Sequence, residues 1–194
     1  MAKAKSIIPT DRPKISRAEI EAMLKAQNFD LSVHKICIVG IRGYYKKTMG
    51  DPLKNDIGMY DDACAVISET EFATFNFNTD PSALVYGRGI LIAGLYFSYC
   101  IDIHNGRKSK YPAVCQRLGK VKLKRHGMNG IFEGNFGVNI HKGGINETSS
   151  EACQTIPSSQ YDSFFSLVCK IVDKNLKKGQ TRYDFVIPYL LVEN

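Results

Sequence analysis

GVNIHKGGINETSSEACQTIP, residues 137–157, decides how this chain is read: an alternating strand, a glycine turn and a polar cysteine loop follow without a break. With Phe136 included, the alternation puts Phe136, Val138 and Ile140 on one face of a strand and Gly137, Asn139 and His141 on the other. Gly143-Gly144 then turns the chain at the strand mouth, where backbone can approach closely. Cys153 follows His141 by twelve residues, in a Ser/Thr-rich loop just ahead of the last helix.

Downstream, Tyr161, Phe164, Phe165, Val168, Ile171 and Val172 repeat at helical spacing and give one apolar face. Pro157 with Ser158 or Ser159 marks the start of that helix, the lysines 174, 177 and 178 favour its end, and Gly179 is the expected stop. FVIPYLLV closes the chain as a strand that Pro188 confines to an edge or a bulge. Upstream, HKICIVGIRGYY, DDACAVISE, FATFNFN, GILIAGLYFSYCI, YPAVCQRL and KVKLKR read as strands. KVKLKR alternates, with Val121 and Leu123 inward and Lys120, Lys122 and Lys124 outward. Near the N-terminus Ser16-x-x-Glu19 is a capping box, and Ile20, Met23 and Leu24 carry the stripe of a helix ending near Gln27-Asn28. Residues 1 to about 14 read as a flexible basic arm. The expected organisation is an arm and helix over 1–30, then a single domain over 31–194 of α+β, β-dominated class.

Composition sets the bounds. A chain of 194 residues with 44% hydrophobic and 23% charged residues buries one ordinary core. Ten Tyr, ten Phe and sixteen Gly suit strands joined by tight turns. The formal charge of +7 favours a polyanionic partner such as an envelope, a membrane face or nucleic acid. Six scattered cysteines without a CxxC pair are not a disulfide framework. The opening MAKAKSIIPTDRPK has charge but no apolar run behind it, so no signal peptide is read there. Gly and Arg interrupt the longest apolar stretch, so no transmembrane segment is expected. The chain is therefore expected to be made in the cytoplasm, and a target outside would need a delivery partner.

The chemistry follows from residue types. A thiol becomes a nucleophile when a nearby imidazole takes its proton, and a loop of backbone N–H groups can hold an oxyanion. Cys153 and His141 are the candidate nucleophile and base. Ser149 and Ser150 offer hydroxyl donors, Gly143 and Gly144 offer close backbone, and Asn139 can orient His141 or a substrate. Cys37, Cys64, Cys100, Cys115 and Cys169 lie mostly in apolar runs and read as core fillers, whereas Cys153 has polar neighbours. His34, His104 and His126 have no nameable partner in the sequence.

The string from His141 through Ser150-Glu151-Ala152-Cys153-Gln154-Thr155-Ile156 resembles the L,D-transpeptidase catalytic-domain family, with its His-Gly segment and Ser-x-Gly-Cys signature. Ser150 matches the Ser, Cys153 the nucleophile and His141 the base. Ala152 stands where that family has Gly, Glu151 where His, Lys or Arg is common, and Thr155 where Arg or Asn is usual. IRGYY, YDDA, FNTDPS and IPYLL also resemble segments of phage-type and prophage-type proteins carrying such a domain. The resemblance implies an L,D-transpeptidase-like β-sandwich with a helix after the nucleophile loop. It also implies acyl transfer through a Cys153 thioester, without cofactor or metal. The implied substrate is bacterial peptidoglycan, with Thr155 at its edge. Hydrolysis in a lysin-like or effector-like setting is favoured over crosslinking, and a holin or a secretion apparatus would deliver the protein to the wall.

Three other readings stay open. A metallopeptidase would need clustered ligands; the chain has no HExxH, only the loose set Asp102, His104, His126 and His141. A nucleic-acid module is not favoured, because the Lys and Arg are dispersed without a binding signature. The third is a catalytically inactive wall-binding or structural protein.

Overall fold

The structure, a computed structural model, describes residues 6–106 and 110–194. In chain order come helix α1 (Arg17–Ala26), the single-turn helix α2 (Leu31–His34), and strands β1 (Cys37–Arg42), β2 (Asp62–Ile67) and β3 (Phe72–Phe77). Next are β4 (Gly89–Leu91), β5 (Gly94–Asn105), β6 (Lys110–Gln116), β7 (Val121–Arg125) and β8 (Phe132–Gly134). Strands β9 (Ile140–Gly143) and β10 (Gln154–Pro157), helix α3 (Ser158–Asn175) and strand β11 (Ile187–Glu193) complete the chain.

Among the described residues, eight strands form one mixed sheet in the order β10-β9-β6-β5-β11-β1-β2-β3. Its two edges nearly meet. Asn78, just past β3, exchanges backbone hydrogen bonds of 3.0 and 2.9 Å with Thr155 of β10. A second, three-stranded sheet has the order β4-β7-β8. The molecule is thus β-dominated α+β, its main sheet curled almost closed.

The sheet is lined on both sides, which explains why its central strands read as unbroken apolar runs. Ile38, Val66, Phe75, Tyr99, Val114 and Ile140 share one core with Phe164, Val168 and Ile171 of α3. On the opposite side Cys37, Val39, Ala65 and Leu190 pack on Ile20 and Leu24 of α1. Gly40 sits where Tyr189 crosses β1, and a Cβ there would collide with the Tyr189 hydroxyl.

Several details differ from expectation. Residues 6–14 do not hang free: Ile7 O accepts from Tyr60 N–H at 2.9 Å, and Pro13 O accepts from the Thr74 hydroxyl at 2.7 Å. Residues 1–5 of the expected arm lie outside the described residues. Of the two places open to Pro188, the edge is excluded because β11 runs between β5 and β1, and the bulge is found: the register with β5 shifts there. α3 stops at Asn175, ahead of Gly179, which takes a left-handed turn of its own. The α1 capping box and the inward Val121 and Leu123 are as expected. Among the described residues no helix is long and apolar enough to cross a membrane.

Candidate active site

The quoted stretch folds as a parallel pair. β9 and β10 lie side by side, with Thr155 opposite His141 and Gln154 opposite Ile140. The chain returns from β9 to β10 through the loop 144–153. Tyr60 Oη donates to Gly144 O at 2.8 Å, and Ser82 Oγ accepts from Ser150 N–H at 2.7 Å while contacting Thr148 Oγ1 at 2.7 Å. Val138 and Ile140 join the core as expected, but Phe136 is exposed and the strand is displaced from the expected one, β9 beginning only at Ile140 and including Gly143. Asn139 and His141 face the site.

Cys153 and His141 line one cleft of about 570 Å³, with Ser82, Arg88, His104, Tyr111, Glu147, Ser149 and Ser150. The thiol rests on backbone. Sγ donates to Gly137 O at 3.5 Å and accepts from Asn139 N–H at 3.4 Å. Among the described residues its hydrogen bonds include none to His141. The His141 Nδ1 sits 2.9 Å from Lys142 O and 3.2 Å from the Tyr111 hydroxyl. A carbonyl only accepts, so Nδ1 carries the proton and Nε2 is left bare as the basic nitrogen.

Both groups are uncharged at neutral pH. Burial pulls His141 down to about 4, with His104 beside it acting in the same direction. Burial also pushes the Cys153 thiol up to about 11, opposed by the Asn139 N–H and helped by Glu151. Moving a proton from thiol to imidazole in the free protein therefore costs roughly 10 kcal/mol. The resting pair is a thiol and an imidazole, not an ion pair.

The remaining expected residues divide. Ser150 is buried, and its hydroxyl is committed to Cys153 O at 2.6 Å, so it clasps the loop rather than offering a free donor. Exposed Ser149 adopts a positive φ of 57° and borders the cleft. Gly143 is a packing glycine: a Cβ would collide with the Tyr60 hydroxyl and lie 2.9 Å from Thr148 O. Thr155, expected at the substrate edge, is fully buried and holds the sheet closure through Asn78. α3 starts at Ser158 as expected, and β10 fills the interval between it and Cys153. The Ser150 and Gln154 amides are engaged with Ser82 Oγ and Asn139 O. Among the described residues, the Ala152 and Cys153 amides are left without an internal acceptor. The Ala152 methyl packs on the core opposite Gly89, which explains how Ala is accommodated there. Glu151 pairs with Arg88 at 3.9 Å.

Tyr111, Ser82 and Arg88 line the site without having been marked in the sequence, and His104, there without a partner or in a loose metal set, joins them. Only His104 carried a signal, its outward place in the alternating strand SYCIDIHN. Of the loose metal set, His104 and His141 come together, stacked 4.1 Å apart between ring centres. Among the described residues, no three His, Cys, Asp or Glu side chains are grouped to hold a metal ion. Neither known family models nor curated protein sequences give a match to this chain.

Proposed function

We propose that this protein is a cysteine acyl-transfer enzyme acting on peptidoglycan stem peptides, with Cys153 as nucleophile and His141 as base. The observation that carries the reading is that this thiol and the bare Nε2 imidazole, twelve residues apart in sequence, border the same open cleft. The resemblance of the Ser150-Glu151-Ala152-Cys153 string to the L,D-transpeptidase family supplies the substrate class, and an L,D-transpeptidase-like fold is part of the same proposal.

A bound peptide displaces water from the cleft and brings its carbonyl to Sγ. His141 Nε2 takes the thiol proton as the S–C bond forms, so the full cost of a free thiolate is not met before attack. The Ala152 and Cys153 amides receive the developing oxyanion. The imidazolium then hands its proton to the leaving amine, and water resolves the thioester. An amine in place of water would give a crosslink, the alternative outcome. The net charge of +7 holds the protein on an anionic envelope once a holin or a secretion apparatus has delivered it.

Purified protein incubated with sacculi is expected to release or trim stem peptides detectable by mass spectrometry. Cys153→Ala should abolish this at unchanged thermal stability. Full activity in that variant refutes the mechanism, and binding to sacculi without any product would favour the inactive wall-binding reading.

A further inference from the structure

His104 lies at the far end of β5, across from Tyr111 of β6, and its ring lies flat on that of His141 with 15° between the planes. Asn139 ties it down. The Asn139 Oδ1 accepts from Gln116 N–H at 2.9 Å, and a backbone amide can only donate, so the two ends of this side-chain amide are fixed. The Nδ2 end therefore meets His104 Nδ1 at 2.9 Å as a donor. His104 must present a bare Nδ1 and carry its proton on Nε2, the opposite tautomer to His141. The same Asn139 touches the Cys153 sulfur with its backbone N–H.

We propose that His104 is a positioning residue for His141: clamped by the Asn139 amide, it covers one ring face, keeps the Nδ1 proton of His141 on Lys142 O, and leaves Nε2 as the only site for an incoming proton. The inference rests on reading His141 as the base. Protonating His104 at Nδ1 would set an N–H against an NH2, and charging both stacked rings would set two cations face to face, so the pair accepts only one proton readily. Burial, and to a smaller extent Arg117, pull His104 below the ordinary histidine range. The other groups around the rings are Tyr111 on β6, Arg117 just past its end, Lys142 on β9, Cys153 before β10, and Glu147, Glu151 and Arg88 at the cleft rim.

The test is an NMR titration of ring-labelled histidines in the full chain, with nitrogen shifts reporting tautomers, run beside the stem-peptide assay. Native His141 should stay an Nδ1–H tautomer and gain its proton only well below pH 6. In His104→Gln, which uncovers the ring face, its midpoint should rise by about one pH unit or more and its tautomers should mix. The acid limb of the pH–rate profile should move with it. Asn139→Asp, close to isosteric, should instead raise the His104 midpoint above the ordinary value and lower that of His141 further, which keeps the test open if the first variant folds poorly. An unchanged His141 midpoint and tautomer in both variants overturns the positioning role. Activity surviving Cys153→Ala would remove the enzyme reading while leaving these titrations to be judged separately.

Discussion

Alkylation of Cys153 by iodoacetamide, followed residue by residue with peptide mass spectrometry from pH 6 to 11, reads the resting state of the site directly. An ordinary thiol is about 3% thiolate at pH 7, whereas one held at about 11 is roughly 0.01% thiolate, a 300-fold deficit. The more basic thiolate is intrinsically more nucleophilic, and a Brønsted slope of about 0.4–0.5 returns roughly tenfold or slightly more. Cys153 should therefore react roughly 20- to 30-fold more slowly than free cysteine at pH 7. Its rate should climb about tenfold per pH unit through the alkaline range without levelling before pH 10. Glu151→Gln removes the nearby negative charge that raises the thiol, so labelling should quicken at every pH below the midpoint. Cys37 and Cys64, fully buried, should stay unlabelled throughout and serve as the folding control. Rapid labelling at pH 7 with a plateau below pH 8 would refute the reasoning, because it would mean that a thiolate–imidazolium pair already exists in the free protein.

Two further outcomes concern stability. Asp61 is buried with one carboxylate oxygen unpartnered, and burial raises it to about 6, with Asp80 and Asp56 adding repulsion. Its folded value exceeds its unfolded one, so the stability it contributes is present below about pH 4 and lost as pH rises through 6. Asp61→Asn should raise the melting temperature at pH 8, by on the order of 1–3 kcal/mol of stability, and leave it nearly unchanged at pH 4; a loss at pH 8 counts against this account. Gly143→Ala forces Tyr60 aside and breaks its bond to Gly144 O. Overpacking and the lost hydrogen bond together should cost about 2–4 kcal/mol, read by calorimetry as a drop of roughly 5–15 °C. An unshifted melting point would show that the loop yields freely.

Local pattern was enough for much of this molecule. Ser16 and Glu19 wrote the start of α1, because a capping box needs only residues three apart. The apolar spacing from Tyr161 to Val172 wrote the buried face of α3, and Val121 and Leu123 wrote the inward side of β7. Asn139 and His141 were legible as sharing one face for the same reason, although only His141 lies within β9.

Sheet order was not legible, because strand neighbours are chosen by packing over long sequence separations. Pro188 left an edge and a bulge equally open, and only the sheet order decided for the bulge, since a shifted register inside the sheet spares the missing N–H. Thr155 looked like a cleft residue, yet the closure with Asn78 buries it. His104 looked partnerless because its partners, Asn139 and His141, arrive from 35 and 37 residues further on. Which residues carry reactive groups was fixed by the chain itself. Their protonation states were decided only when folding buried the imidazole and the thiol and gave Nδ1 of His141 a carbonyl to hold.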